Sequence, residues 1–556
     1  MPRAYLVAFV GAAMPVVLSW PFPCAVAEEP SPPAAGPMAA SGDALWDLAR
    51  RHAPSIRFST LFTAEDVRHH LGGPEAVNRA MRWCKDTGVT HVYLESFRGG
   101  YTAPKALLLS AKKAFADAGF LVSGCVTTVG IGRKPSDGWL FPCFSEPAGQ
   151  AKLAEVFGYA AELFDEVMID DFFATQCECP DCVKGRGDKS WAEYRCDLLM
   201  DVSQRFVLEP ARKANPKVKL ILKYPQWYEQ FHKRGYEVVR QTRLYDKIWV
   251  GTETREPDSK EWGRKSQYEA YFIMRWLGAI GGPKCGGGWF DPYGTKPATY
   301  VEQARQTILG GAGEAVLFCY GSLQNETGPA NVKALRQEMP RLFRLAGLVR
   351  GLTPRGIAAP KPPNSDAEGD EYVYDYLGLL GLPLVPSDEI RVDVPCAFLP
   401  RQVLKDEELP EKLSRMIKAR TPLLLTQTLA KLLPDSVKVG GDSIELLEVP
   451  KDPWQLMGLP AERLKAIRKL MLGPLGVEFD APSRVALYLF GDHIAVIENF
   501  NDREVEVWVK MAADRAGPQR GPRALLGVPA DAAPTTTGGG STRVTLAPRS
   551  LIVLDF

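Results

Sequence analysis

Glu166-Val167-Met168-Ile169-Asp170-Asp171 is a short apolar run that ends in two acids. Val and Ile in so short a run fit a strand buried on both faces, with the acids where such a strand leaves the core. The pattern recurs at Ile56–Leu61, His91–Ser96, Leu121–Thr127, Lys219–Tyr224, Lys247–Gly251, Gly286–Phe290 and Ala315–Cys319. Between these runs fall amphipathic, helix-length stretches such as Gly73–Lys85, Lys105–Ala118, Trp191–Ala214 and Tyr300–Leu309. Eight such units over residues 51–350 predict an α/β fold of the (β/α)8 TIM-barrel type. An open doubly wound sheet is disfavoured, because no single glycine-rich first turn marks a nucleotide site.

The chain around this core has 556 residues, of which 46% are hydrophobic and 24% charged, enough apolar material for several domains. Lys plus Arg number 67 against 66 Asp plus Glu, so no global field attracts nucleic acid or an anionic membrane. An uncharged partner is expected. The 12 Trp, 18 Tyr and 24 Phe supply rings that suit sugar-like ligands, although most such rings are core.

At the N-terminus, Met1-Pro2-Arg3, an apolar stretch to Trp20 and Ala25-Val26-Ala27 have the pattern of a secretory signal, residues 1–27. Export to the periplasm or the medium is expected. No later segment has about 18 uninterrupted apolar residues, so no membrane association is expected after cleavage. A Pro/Ala/Gly/Ser linker is expected over 28–50 and a Pro-rich one over 351–368. Alternating elements over 369–475 predict a smaller α/β domain, and the short alternating strands of 476–556 predict a β-sandwich.

In a barrel of this type the active site lies at the C-terminal ends of the strands. Acids stand there at Glu95, at Asp170 and Asp171, at Glu253 and at Asp291. Two carboxylates across a sugar can serve as nucleophile or base and as acid. Because successive strand residues face opposite ways, Asp170 and Asp171 share one space only if the strand has ended or bulged there. Any single one of these acids read alone is an ordinary loop or capping residue. Phe172, Tyr224, Trp227, Trp289 and Tyr320 are candidate sugar platforms, set against the plain reading that half or more are packing. Arg98, Lys223 and Arg255 are candidate hydrogen-bond donors or an anionic subsite.

Cys177-x-Cys179-x-x-Cys182 follows Asp171 at close range. Three thiolates at this spacing can wrap one tetrahedral Zn²⁺, with Cys143 as the candidate fourth ligand. Disulfides and free thiols are the competing readings in an exported chain. No His-Glu-x-x-His, Gly-x-Ser-x-Gly or phosphate-binding loop is present, and no organic cofactor is expected.

With these residues in view, the sequence resembles glycoside hydrolase family 42, the β-galactosidases that join a (β/α)8 barrel to a glutamine-amidotransferase-like domain and a small β domain. The resemblance rests on Ile169-Asp170-Asp171-Phe172, the three clustered cysteines, then Trp191 and Arg195, with Cys143 before them. It implies a structural zinc loop. Tyr374-Asp375-Tyr376-Leu377-Gly378 and Leu382-Pro383-Leu384-Val385-Pro386 resemble the amidotransferase-like domain, without its nucleophile Cys, which implies a structural role in a homo-oligomer. That family uses Asn-Glu at strand four and Glu at strand seven, whereas this chain has Asp-Asp and Trp289-Phe290-Asp291. Similarity to α-galactosidase barrels, with an Asp nucleophile at strand four and an acid from strand six, implies Asp171 as nucleophile or base. Glu253 is then its partner acid and Asp291 the competitor. The expected function is a secreted glycoside hydrolase of unspecified sugar. The alternatives are a catalytically silent carbohydrate-binding barrel and, behind it, a structural protein of a secreted assembly.

Overall fold

The computed structural model describes residues 42–132, 141–170, 172–259, 264–512, 522–527, 535–536 and 541–556. The expected leader and its cleavage site, and Asp171, lie outside these residues. Eight parallel strands close into a barrel: β1 Arg57–Phe62, β2 Val89–Arg98, β3 Leu121–Thr127, β4 Glu166–Asp170, β5 Lys219–Tyr224, β6 Lys247–Gly251, β7 Cys285–Phe290 and β8 Glu314–Leu317. Each strand pairs with its successor, and β1 pairs with both β2 and β8, which leaves no open edge in the ring.

Alternation along the strands builds the barrel interior in layers. Tyr93, Cys125, Met168, Ile221, Trp249 and Val316 form one apolar layer at mid-height. Two residues further along four of these strands come Glu95, Thr127, Asp170 and Lys223, a polar layer at the mouth. Two residues earlier come His91, Ser123, Glu166, Lys247 and Glu314, a polar layer at the opposite end. Trp249 fits inside because β7 carries Gly286 and Gly287, where an added Cβ would collide with the indole.

The lower polar layer is continuous. His91 Nδ1 lies 2.9 Å from Glu314 Oε1 and its Nε2 2.9 Å from Ser123 Oγ, while Ser123 and Lys247 donate to the two oxygens of Glu166 at 3.0 and 2.5 Å. Burial pushes the Glu314 carboxyl up, but the charge and hydrogen bond of His91, with Arg57 beyond, outweigh it and bring its pKa down to about 2. A carboxylate depressed from its ordinary 4.5 stabilises the fold fully above that value, and the contribution is lost as pH falls toward 2. At roughly 1.4 kcal/mol per pH unit this contributes about 3 kcal/mol at neutral pH. Glu314→Gln should therefore lower the thermal midpoint near pH 6, and the two midpoints should converge as the pH is taken from 5 to 2. A gap that stays constant over that range would contradict the assignment.

Two of the expected linkers are partly structured. Residues 42–52 form a helix, Gly42–His52, that buries Leu45, Trp46 and Ala49 on the barrel and packs Trp46 at a tilt against Phe120, 4.6 Å between centroids. Its apolar face is shorter than the Pro/Ala-rich stretch before it, so composition averaged it away. Within 351–368, Ile357–Pro360 is an interior strand of a five-stranded parallel sheet, with Pro360 at its last position, where a missing N–H costs the ladder little. That sheet runs in the order Leu384–Ser387, Ile357–Pro360, Ala397–Leu399, Leu423–Thr426, Ile444–Leu447. It docks on the barrel helix Glu269–Gly281, where Trp276 Nε1 donates to Lys361 O at 2.7 Å and Tyr271 OH to Leu384 O at 3.2 Å. Two antiparallel sheets follow, one centred on Val485–Phe490 and Ile494–Asn499, the other on Val505–Met511. The first is fastened to the barrel through Gln306, which donates to Glu498 at 2.6 Å and accepts from Tyr488 OH at 2.9 Å.

Candidate active site

The upper polar layer gathers its acids around one lysine. Lys223, 2% exposed, donates to Glu253 Oε1 at 2.9 Å and stands 3.6 Å from Asp170 Oδ1. Its ammonium rests on the Trp289 ring, 4.1 Å from the centroid. The oxygens of Asp170 and Glu253 that face Lys223 are thus separated by no more than the sum of those contacts, about 6.5 Å. Asp170 Oδ2 accepts from Arg98 and from Thr127 Oγ1, the latter at 3.2 Å, while its buried Oδ1 accepts no hydrogen bond from the described residues. Gln226, in the amide orientation that satisfies both neighbours, donates to Glu253 Oε2 at 3.2 Å and accepts from Lys265 at 3.0 Å. Gly251 makes room for this carboxylate, because a Cβ there would collide with Glu253 Oε2.

Glu95 is fully buried and its oxygens are taken by the Ala64 N–H at 2.8 Å, Arg98 Nε at 2.8 Å and Thr127 Oγ1 at 2.5 Å. Burial raises its pKa, against the lowering effect of Arg98. It holds Arg98 rather than reaching a ligand. Arg98 in turn bridges Glu95 and Asp170 and covers the Phe318 ring at 5.5 Å.

Asp291, the competitor for the acid role, is engaged otherwise. Both of its oxygens are held by Arg255, Nε to Oδ1 at 3.0 Å and Nη2 to Oδ2 at 2.6 Å, and the Tyr293 N–H adds a third bond at 3.2 Å. Each oxygen of Asp291 thus carries one arm of the Arg255 fork. Arg255 adopts a left-handed φ of +53°, held by this clamp and by Gln303 on its N–H at 3.2 Å.

The expected aromatic platforms divide. Tyr224 alternates with Lys223 and so points outward, where its OH meets Thr242 Oγ1 at 3.2 Å and its ring packs on Phe231 and Tyr236. Tyr320 stacks on Phe62 at 4.5 Å, with His70 and Trp83 edge-on. Neither offers a face to a ligand. Trp289 is 1% exposed and carries Lys223 on its face, so it is a floor beneath the lysine rather than a stacking surface. Phe172 and Trp227 are partly exposed and stand 6.2 Å apart beside Phe141, and they form the aromatic wall of the mouth.

Cys143, Cys177, Cys179 and Cys182 come together with all four sulfurs within 4.8 Å of one another. A tetrahedral zinc with bonds of about 2.3 Å separates its sulfurs by about 3.8 Å. Cys143 lies 3.8 Å from Cys179 and 3.7 Å from Cys182, so the four thiols fit one such ion, and none is in a disulfide. Ser145 supports the cluster, with Cys182 Sγ at 3.2 Å and Tyr194 OH at 2.9 Å. Arg195 connects this loop to the mouth, since it binds Gln176 O, Glu178 and, on the other side, Lys233 O at 2.9 Å.

Gln226 and Thr127 are site residues that the strand-end rule could have found, since each lies at or within two residues of a strand end. Phe141 and Arg234 belong to long loops, where spacing from a strand carries no information.

A closed parallel barrel with acids and aromatic residues at its C-terminal mouth defines the class of (β/α)8-barrel enzyme scaffolds. Within it the chain belongs to the family described as probable glycosyl hydrolase, catalytic domain, whose model matches residues 44–365. A relative from Saccharolobus solfataricus, the uncharacterized protein SSO3021, is 26% identical over 350 residues, 57% of this chain. The chain spans 58% of that relative's length. Among solved structures, Gan42B, a GH42 β-galactosidase, superposes over 90% of this chain and 98% of its own at a TM-score of 0.57 with 9% identity, which shows a common fold. A GH5_18 protein from Streptomyces cattleya matches 60% of this chain and 93% of its own at a TM-score of 0.42 and 14% identity.

Proposed function

We propose that this protein is a glycoside hydrolase whose reaction is carried by Glu253 and Asp171. The observation that carries the reading is the convergence of Glu253 and Asp170 on Lys223 at the catalytic end of a glycosyl-hydrolase-family barrel. The ion pair with Lys223 at 2.9 Å suits Glu253 to the anionic role, nucleophile or base, because the ammonium pairs with a negative charge at that position. This reverses the assignment drawn from α-galactosidase barrels and leaves Asp171 as the proton donor to the leaving oxygen. Asp170, tied to Arg98 and Lys223, positions those cations. Trp227 and Phe172 wall the subsite. The four cysteines would hold a structural zinc that braces the loop behind this wall and takes no part in bond cleavage.

The protein is further proposed to be exported, through the leader expected at residues 1–27. Its parallel five-stranded domain is read as amidotransferase-like, without a nucleophile and supporting a homo-oligomer, and the C-terminal sheets as a β-sandwich. Among the described residues Cys396 is buried and donates to Met471 O at 3.1 Å, which suits that non-catalytic reading.

The test is hydrolysis of a panel of aryl glycosides and natural oligosaccharides by the full chain, with Asp171→Asn alongside. Loss of the acid should abolish cleavage of natural linkages by roughly 10² to 10⁴-fold while sparing aryl glycosides with good leaving groups, which need little protonation. An Asp171→Asn variant as active as the wild type on natural linkages would remove Asp171 from the mechanism. Glycan binding with no turnover on any substrate would favour the silent binding barrel.

A further inference from the structure

The three cations that stood as candidates for an anionic subsite are all committed to acids of the protein. Arg98 holds Glu95 and Asp170, Lys223 holds Asp170 and Glu253, and Arg255 holds Asp291. Arg234 differs. It lies in the loop after β5, and its guanidinium is sandwiched between Phe141, 4.7 Å to the ring centroid, and Trp227, 4.9 Å. No carboxylate, carbonyl or hydroxyl of the described residues accepts a hydrogen bond from it. Its nitrogens are not among the sealed, unsatisfied polar atoms of the described residues, so its guanidinium edge is not closed off from a ligand. Burial holds the guanidinium below the ordinary arginine range, with Tyr372 of the second domain partly offsetting this.

Position adds to this. Trp227 is one residue from Gln226, which contacts Glu253, and its ring faces Phe172, two residues beyond Asp170. Arg234 thus packs directly on the aromatic wall of Phe141, Trp227 and Phe172, which neighbours the acids in the chain. The backbone there is fixed, since Arg234 O accepts from the Thr175 N–H at 2.9 Å and Lys233 O from Arg195. A planar cation between two rings keeps its edge free, and that edge matches a carboxylate or sulfate with two parallel hydrogen bonds.

We propose that Arg234 forms an anion subsite beside the reacting centre, and that the substrate is a glycan carrying a carboxylate or sulfate group. The inference rests on reading the mouth as a glycan site and names its substrate class. An overall charge balance near zero masks this local preference, which belongs to one residue and not to a field.

The experiment is direct binding to the full chain of two matched pairs of probes: a uronate-bearing xylo-oligosaccharide and a sulfated galacto-oligosaccharide, each with its neutral counterpart. One anionic probe should bind at least about tenfold tighter than its neutral counterpart at low salt, the scale of one charge-assisted bidentate contact. The preference should weaken with added salt. Arg234→Met should bring the anionic-to-neutral ratio to near one, and Arg234→Lys, which keeps the charge without the planar fork, should restore part of it. The uronate and sulfate arms identify which anion is read. Equal binding of charged and neutral probes by the wild type, or a ratio unchanged in a folded Arg234→Met protein, overturns the subsite. If the preference is present and no probe is hydrolysed, the subsite stands and the hydrolase reading fails; if neutral glycans are hydrolysed without any anionic preference, the reverse holds.

Discussion

Glu253→Gln should lower kcat/KM on a cleavable glycoside by about 10³-fold or more, mainly through kcat, with the thermal midpoint changed far less. The amide keeps the volume beside Gly251 and still accepts from Lys223, so the binding wall of Phe172 and Trp227 is left in place. What it removes is the negative charge. A companion variant separates the two possible roles. In Glu253→Ala the vacated space admits a small anion, and azide or formate should restore part of the turnover if Glu253 works as an anion. A proton donor is not replaced by azide on a substrate with a poor leaving group. Rescue by neither anion, together with retained cleavage of activated aryl glycosides, would transfer the acid role to Glu253 and return the anionic role to Asp171.

The second large effect is expected at the cysteine cluster. Protein purified without chelator should contain about one zinc per chain, and Cys179→Ser should lose it, because three thiolates and a serine bind zinc far more weakly than four thiolates. The consequence should reach the mouth by a definite route. Arg195 ties Gln176 and Glu178 of the cysteine loop to Lys233, the neighbour of Arg234, and Thr175 bonds Arg234 O. Loosening the loop should therefore raise KM several-fold before it alters the chemistry at Glu253, and should lower resistance to proteolysis near residues 175–190. Full metal-free activity with all four thiols oxidised would show that the cluster serves as disulfides instead.

The two variants probe different layers of one design. Glu253, the proposed nucleophile or base, follows the strand Lys247–Gly251 by two residues, while the proposed binding wall sits on loops that other loops must brace. Strand ends tolerate little movement because each is fixed by two neighbours in the barrel. The loop of residues 225–236 lies outside the sheet, and its geometry depends on aromatic packing, on Arg195 and on the bonds of Tyr228 and Glu229 to Asp375, Lys361 and Gln402.

Much of this was legible in the amino-acid sequence, and for a physical reason. Strand periodicity is a local property, so the eight βα units, the acids at their ends and the thiol spacing could be read without any tertiary information. Lys223 facing inward and Tyr224 outward follows from the same alternation, although the sequence reading treated both as ligand contacts. The helix Gly42–His52 and the strand Ile357–Pro360 were hidden by the Pro- and Ala-rich composition around them, since their burial depends on surfaces far away in the chain. Which acid is available was likewise beyond the sequence. Glu253 and Asp291 look equivalent along the chain, yet one pairs with a lysine shared by Asp170 and the other is clamped by Arg255, because charge pairing is decided by which loops meet across the barrel mouth. Local pattern thus determined the scaffold and its candidate chemistry, and only the closure of the barrel decided which charges are spent on one another and which, like Arg234, are left for a ligand.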